Sequence, residues 1–212
     1  MRSSDTLLVV NKEPKSYFIK YIHKKIFKDN EDFVLIVTGK RGRGKSYASL
    51  RIGETFANEI GIPFNVQDNV KYTVRAMLSS VNSLKFAQGT PIIMEEAGVH
   101  ANARKFMSEV NAALNFFTQT VRTRHYLIIF NLPKAKMVDF SVRNMASARL
   151  EIIAKDPARK VSIGKLYLLD YDEFTKKEWR RNLRIAIRGK MKLSVLKMIE
   201  FGLPSEELRK QY

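Results

Sequence analysis

The stretch GKRGRGKS at residues 39–46 constrains the fold more than any other feature of the chain. It directly follows the apolar run FVLIVT and matches the pattern G-x-x-x-x-G-K-[ST]. Glycines let successive backbone N–H groups point inward around an anion, and the N-terminus of a following helix adds its positive dipole. A buried strand before this loop and a helix after it predict a phosphate-binding loop rather than a glycine-rich turn.

Each residue of the loop has an expected role. Lys45 is expected to reach the β- and γ-phosphates of a nucleotide, and the hydroxyl of Ser46 is expected to hold Mg²⁺. Gly39 and Gly44 supply the backbone freedom that the cradle needs. The remaining candidate nucleotide-binding residues are Lys40, Arg41, Gly42, Arg43 and Tyr47. Arg41 and Arg43 add positive field for a triphosphate, so the loop predicts a bound nucleotide with Mg²⁺.

Lys40 leaves a second interpretation open. With Lys45 it forms the arrangement K-x-G-x-G-K-S, which resembles the loop of the ParA/MinD partition ATPases. Members of that family also bind DNA, so the charge of the chain does not separate the two interpretations. The acidic pair Glu95–Glu96 and the third-strand block, described below, fit a hydrolase better than the partition family, so Lys40 is better interpreted as a loop lysine that the motif tolerates.

The charge of the chain favours a polyanionic partner. The 212 residues include 38 Lys and Arg against 21 Asp and Glu, a formal net charge of +17. Nucleic acid is the first expectation and an anionic membrane surface is the second. The absence of cysteine excludes a disulfide framework and a thiolate metal site. The longest apolar runs, FVLIV and YLIIF, fall short of the roughly 20 residues that a membrane span needs, so we expect a cytoplasmic protein without one.

Apolar runs and amphipathic stretches alternate along the chain, which predicts an α/β fold with a mostly parallel sheet and helices on both faces. The predicted strands are 33–38, 91–94, 126–130, 148–153 and 162–169. The predicted helices are 15–28, 45–60, one or two near 71–86, about 104–120 and 137–146. In the first helix, which is basic, Phe18, Ile22 and Ile26 form one apolar stripe.

The chain divides into a core over residues 1–170 and a basic C-terminal extension over 171–212. The extension is expected to end in two short helices separated by FGLP. It is expected to contact the DNA backbone or a neighbouring subunit through its basic residues, which are Lys176, Lys177, Arg180, Arg181, Arg184, Arg188, Lys190 and Lys192. Trp179, the only Trp, is expected to anchor in the core, and stacking on bases is the alternative.

Two adjacent carboxylates follow the apolar strand PIIM. Glu95 is expected to hold Mg²⁺ through water, and Glu96 is expected to polarise the water that attacks the γ-phosphate. Ligands of α/β sheets bind at the carboxyl ends of the strands, where this pair stands. The alternative is a solvated turn. Glu95 stands where Asp is more usual, so its distance to the metal is open.

Polar side chains also flank the third strand, YLIIF. Asn131 follows it and could touch the γ-phosphate, although Asn before Leu-Pro is also a good turn former. Arg122 precedes the strand and is the candidate arginine finger supplied in trans to a neighbouring subunit, with Arg124 as the alternative. Solvated arginines at a helix end are the competing interpretation.

Four blocks, taken in order, resemble the FtsK–HerA superfamily of P-loop ATPases: FVLIVTGKRGRGKSY, PIIMEEAG, VRTRHYLIIFNLP and VDFSVRNMASARLEI. The resemblance covers residues 31–155. The later part of the family pattern is matched by Arg122, Asn131 in place of the usual Gln, Pro133, and Asp139 with Arg143. The resemblance implies a RecA-like core, Mg-ATP, ATP hydrolysis coupled to translocation of double-stranded DNA, and a homo-oligomeric ring, usually a hexamer.

The compact size is similar to that of viral genome-packaging ATPases, particularly those of archaeal viruses. The expected function is therefore a DNA-translocating motor that packages viral DNA into a capsid, in the host cytoplasm or associated with the virion. A capsid or portal-vertex partner is expected, Arg104 and Lys105 are candidate pore residues, and a monomer in isolation is left open. The alternatives are a partition-type switch, a conjugation or chromosome translocase, and a basic nucleic-acid-binding protein whose loop is vestigial.

Overall fold

The computed structural model describes residues 7–10, 17–82, 86–95, 125–133, 145–172, 174–175, 177–185 and 194–212, together with 108 and 112, which are helical. The strands are β1 (Leu7–Val10), β2 (Phe33–Gly39), β3 (Val70–Lys71), β4 (Pro91–Met94), β5 (Leu127–Leu132), β6 (Ala148–Asp156), β7 (Val161–Asp172), β8 (Lys177–Arg181), β9 (Leu183–Ile185), β10 (Ser194–Leu196) and β11 (Met198–Gly202). The helices are α1 (Tyr17–Phe27), α2 (Lys45–Ile60), α3 (Val66–Asn69), α4 (Val74–Asn82) and α5 (Glu206–Gln211). Apart from residues 108 and 112, the helix expected at 104–120 lies outside the described residues. The helix expected at 137–146 lies outside them as far as residue 144.

The main sheet has the strand order β1-β11-β7-β6-β2-β5-β4-β3, with β8 paired to β7. The run β6-β2-β5-β4-β3 is parallel throughout, whereas β7 is antiparallel to β6, β8 and β11. This confirms the predicted α/β fold with a mostly parallel sheet. Because parallel strands end at one edge, the residues that follow β2 and β4 meet there, beside the end of β5.

Successive side chains of β2 point to opposite faces of the sheet, and helices cover both of these faces. Phe33, Leu35 and Val37 belong to one buried cluster with the apolar sides of α1 and α2, and the predicted stripe of α1 is buried there. Val34 and Ile36 belong to a second cluster with α4. Burial of each large apolar side chain contributes about 1.5–3 kcal/mol, so the two clusters fix the sheet between its helices.

The longest described helix, α2, has 16 residues and lies between two glycines in the left-handed conformation. Gly44 caps its N-terminus, and Gly61 caps its C-terminus by donating to the carbonyl oxygens of Ala57 and Asn58. The predicted helix over 45–60 is therefore confirmed. Among the helices of the described ranges, none combines the length and the apolar character needed to cross a membrane.

The region after residue 171 differs from its prediction in two ways. The expected helix before FGLP is wrong, because residues 198–202 form β11, which pairs with β1 and β7. The alternating Ile199 and Phe201 enter the core, a period of two that fits a strand. The second expected helix is confirmed as α5, whose Leu208 packs into the same core cluster. Trp179 is 56% exposed, so its expected core anchoring is also wrong.

Candidate active site

The loop between β2 and α2 has a backbone that glycine makes possible. Gly39, Gly42 and Gly44 have φ angles of 153°, 77° and 91°. A Cβ on Gly39 would lie 2.6 Å from the carbonyl oxygen of Ile152, and one on Gly44 would overlap the Ser162 hydroxyl, whereas Gly42 faces open space. The close approach of β6 and β7 therefore requires two of the glycines. Gly44, at the cap position, has no side chain to occupy the first N–H groups of α2, which leaves them to an anion.

The cations of the loop have different surroundings. The ammonium of Lys45 donates to the carbonyl oxygen of Gly39 at 3.0 Å, so it crosses the loop that it is expected to complete. Lys40 and Arg41 are exposed, and Arg41 lines the cavity described below. The guanidinium of Arg43 donates to the carbonyl oxygen of Ile153, which ties the loop to β6. In this structure Arg43 is an anchor of the loop, a contact that the sequence did not predict.

Ser46 and Glu95 bring two oxygen ligands together. Glu95 directly follows β4 and is 5% exposed, and Ser46 stands in the first turn of α2. The Ser46 hydroxyl donates to the Glu95 Oε2 at 3.2 Å. A hydroxyl and a carboxylate at the N-terminus of a helix are the oxygen ligands that Mg²⁺ prefers. The donor set therefore fits the predicted metal, and the longer side chain of Glu, compared with Asp, still reaches Ser46.

Asn131 lies within β5, between β2 and β4, and not in a turn, so the turn interpretation is wrong. Its side chain is buried and connects the residue that follows β4 with helix α2. The Nδ2 donates to Glu95 Oε1 at 2.5 Å, and the Oδ1 accepts from the Ser49 hydroxyl at 2.5 Å. Ser49 was missed in the sequence, although it follows Ser46 by three residues and so shares its helix face. The four side chains form one continuous hydrogen-bonded network, Ser46–Glu95–Asn131–Ser49.

A cavity of about 750 Å³ opens over this network. That volume lies in the range of ligand-binding clefts. Its lining residues are Arg41, Gly42, Gly44, Lys45, Ser46, Tyr47, Glu95, Pro133, Lys155 and Tyr212. Lys155 near the end of β6 and Tyr212 after α5 were also missed, because no local pattern links them to the loop.

Tyr212 reaches the centre of the site. Its side chain lines the same cavity as Ser46 and Glu95, its hydroxyl interacts with both of them, and its ring meets that of Tyr47 edge-on, with centroids 6.3 Å apart. Burial raises the pKa of Tyr212 to about 12, and the nearby Glu95 carboxylate adds to the increase. The hydroxyl is therefore protonated at neutral pH.

A second tyrosine, Tyr72, also lies near Glu95. Burial first, and then the charge of Glu95, raise the pKa of Tyr72.

Several predicted site residues lie outside the described part of the chain. These are the proposed water-polarising residue Glu96, the candidate arginine fingers Arg122 and Arg124, the candidate pore residues Arg104 and Lys105, and the pair Asp139 and Arg143. Their roles stay predictions. Of the predicted site residues, the structure brings together Lys45, Ser46, Glu95 and Asn131.

Comparison with known proteins gives distant similarity only. No family model and no curated protein matches the chain. The N-terminal domain of zonular occludens toxin from Neisseria meningitidis is similar over 72% of this chain and 95% of its own, with a TM-score of 0.41 and 12% identity. The flagellar accessory protein FlaH from Methanocaldococcus jannaschii is similar over 78% and 89%, with a TM-score of 0.34 and 13% identity. Similarity of this size transfers no activity, so the proposals below depend on the geometry of the site.

Proposed function

We propose that this chain is a Mg²⁺-dependent ATPase. The observation that carries the proposal is the hydrogen-bonded network Ser46–Glu95–Asn131–Ser49 at the N-terminus of α2, beside a loop that holds Lys45. The backbone N–H groups of the loop bind the phosphates, and the Lys45 ammonium neutralises the γ-phosphate charge. Ser46 and Glu95 hold Mg²⁺, which when bound supplies further neutralisation of the phosphate oxygens.

Asn131 has a positioning role in this proposal. Its amide holds Glu95 in one orientation and is itself held by Ser49 on α2. A γ-phosphate within reach of the same amide would compete with Glu95 for its N–H groups, so the network can differ between ATP and ADP. Glu96, the next residue in the chain, accepts the proton of the attacking water as the bond between the γ-phosphorus and the bridging oxygen breaks.

We further propose that hydrolysis moves double-stranded DNA. The net charge of +17 and the order of the four motif blocks support a polyanionic substrate and a motor of the FtsK–HerA type. The proposed assembly is a ring, which in the FtsK–HerA superfamily is usually a hexamer. In this ring, Arg122 or its alternative Arg124 enters the active site of a neighbouring subunit. Packaging of viral DNA into a capsid is the most specific form of the proposal, and a conjugation or chromosome translocase is its closest alternative.

An ATPase assay with and without duplex DNA tests the coupling. We expect DNA to stimulate phosphate release, and we expect both Lys45→Ala and Glu96→Gln to abolish it. Lys40→Ala is the matched control, because Lys40 belongs to the same loop but is exposed. Turnover that DNA leaves unchanged, or full turnover in Glu96→Gln, would contradict a DNA-coupled motor.

A second candidate, a partition-type switch, is favoured by the position of Lys40 in K-x-G-x-G-K-S. Such a protein would form a nucleotide-sandwich dimer through this lysine. The oligomeric state with a non-hydrolysable ATP analogue separates the two candidates. A dimer that Lys40→Ala dissolves supports the switch, and a ring that Lys40→Ala leaves intact supports the motor.

A further inference from the structure

The last described helix, α5, is fixed beside the candidate active site at several points. The backbone N–H of Ser205, at its N-cap, donates to both carboxylate oxygens of Glu54 on α2 at 3.2 Å. Leu208 is buried in the core cluster that contains the apolar side of α2. Gln211 accepts from the backbone N–H of Val66 at 3.1 Å. The residue that follows α5 is therefore held at a defined place.

That residue, Tyr212, contacts the same two side chains that would hold Mg²⁺. Its side chain lines the same cavity as Ser46 and Glu95, its hydroxyl interacts with both of them, and its ring packs edge-on against Tyr47. A Ser46 oxygen that coordinates Mg²⁺ directs a lone pair to the metal, and a Glu95 carboxylate that holds metal-bound water uses acceptor sites that the phenol would otherwise occupy. The phenol and a hydrated Mg²⁺ therefore compete for the same atoms.

The position of Tyr212 also allows the side chain to leave. It is 41% exposed and lines the cavity rather than the core. The anchoring contacts of α5, through Ser205, Leu208 and Gln211, do not involve the Tyr212 side chain. Rotation of the phenol away from Ser46 would leave the helix in place, so its displacement costs only the contacts of the phenol with Ser46, Glu95 and Tyr47.

We propose that Tyr212 competes with Mg²⁺ for Ser46 and Glu95 and so sets the magnesium concentration at which the site binds ATP. This inference rests on the proposed function, because it concerns the same site. Loss of a hydrogen bond of ordinary strength changes an equilibrium by about 3- to 10-fold. Removal of the Tyr212 hydroxyl should therefore lower the Mg²⁺ concentration that the site needs by about the same factor.

The test is a Mg²⁺ titration of the binding of a fluorescent, slowly hydrolysed ATP analogue at constant pH. We expect Tyr212→Phe to lower the Mg²⁺ midpoint by about 3- to 10-fold, with binding in excess EDTA unchanged. Phe keeps the ring that packs on Tyr47, so folding should be preserved, and a thermal melt checks this. Tyr72→Phe is the matched control: Tyr72 also lies near Glu95, whose charge adds to the increase in the pKa of Tyr72, but Tyr72 does not line the cavity over Ser46.

The outcomes separate this inference from the proposed function. A Mg²⁺ midpoint in Tyr212→Phe that equals or exceeds that of the unmodified chain overturns the competition, even if Lys45→Ala abolishes binding and so supports the ATPase proposal. An equal decrease in Tyr72→Phe also overturns it, because the effect would then be one of general electrostatics. Failure of the unmodified chain to bind the analogue at any Mg²⁺ concentration overturns both proposals.

Discussion

Two polar regions of this molecule are built in opposite ways. At the candidate active site, Ser49, Asn131 and Glu95 are buried and hydrogen-bonded in one network. Toward the amino end of β2 lies a basic groove of about 710 Å³, whose charged lining residues are Lys24, Arg180, Arg181 and Arg184. In the groove, Arg181 pairs with Asp170 at 2.6 Å, and both side chains are more than half exposed.

The difference between the two regions is physical. Buried polar groups interact strongly at low dielectric and are costly when a partner is lost, so the network depends on the placement of individual atoms. Exposed ion pairs contribute little to stability and are screened by salt, so the basic groove depends on its total charge. The network is therefore suited to chemistry on a phosphate, and the basic groove is suited to attraction of a polyanion whatever its sequence.

The largest contrast is expected in stability. Asn131→Leu removes one hydrogen bond from Glu95 and one from Ser49, both buried, and should lower the free energy of unfolding by about 1–3 kcal/mol for each group that loses its partner. Arg184→Gln in the basic groove, an exposed position, should change it by less than about 0.5 kcal/mol. Denaturant unfolding measures both, and equal losses would remove the distinction between the regions.

The next effect concerns the loop itself. Gly44→Ala introduces strain at a φ of 91° and a clash with Ser162, so we expect it to abolish nucleotide binding. Gly42→Ala is the matched control: its φ is 77°, but a Cβ there meets open space, so it should weaken binding by the backbone strain alone. Calorimetric titration with Mg-ATP compares them, and an equal loss in both variants would mean that contact with β7 is unimportant.

A smaller effect is expected in the basic groove. If it binds DNA phosphates, the double variant Arg181→Gln/Arg184→Gln should reduce the slope of log affinity against log salt by about 2, with basal ATP turnover unchanged. Arg209→Gln, an exposed position on α5, should leave the slope unchanged. A double variant with an unaltered slope would exclude the basic groove as the site of phosphate contact.

The smallest effect is expected at Trp179 on β8. Because 56% of this residue is exposed, Trp179→Ala should lower the unfolding free energy by only about 1–2 kcal/mol, the contribution of the part that is still covered. A core tryptophan would instead cost about 3–5 kcal/mol on truncation. A thermal or denaturant melt decides between the two values, and a large loss would restore the anchoring that the sequence suggested.

Local signals explain what the sequence predicted correctly. The apolar stripe of α1 and the strand–loop–helix unit around residues 39–46 each lie within one short window, where a periodic pattern or motif determines the structure. The sequence placed Asn131 at the end of the third strand, but that it lies within this strand could not be obtained in this way. Its Asn-Leu-Pro context favours a turn, but β2 pairs with β5 as far as Leu132, so the strand continues through Asn131.

Long-range contacts explain what the sequence missed. Tyr212 reaches Ser46 only because α5 packs on α2 and α3, more than a hundred residues away along the chain. Likewise, β11 becomes a strand because β1 and β7 supply its hydrogen bonds, whereas its five residues are too few for a clear periodic pattern. Glu200 of β11 is fully buried and pairs with Arg159, a contact that only the folded sheet creates.

Release of phosphate from Mg-ATP by the unmodified chain, Lys45→Ala and Lys40→Ala tests the proposed active site most directly. We predict hydrolysis by the unmodified chain, a loss of about 100-fold or more in Lys45→Ala, and near-normal turnover in Lys40→Ala. Equal rates in the unmodified chain and in Lys45→Ala would contradict the assignment of this loop and its buried network as the site of ATP hydrolysis.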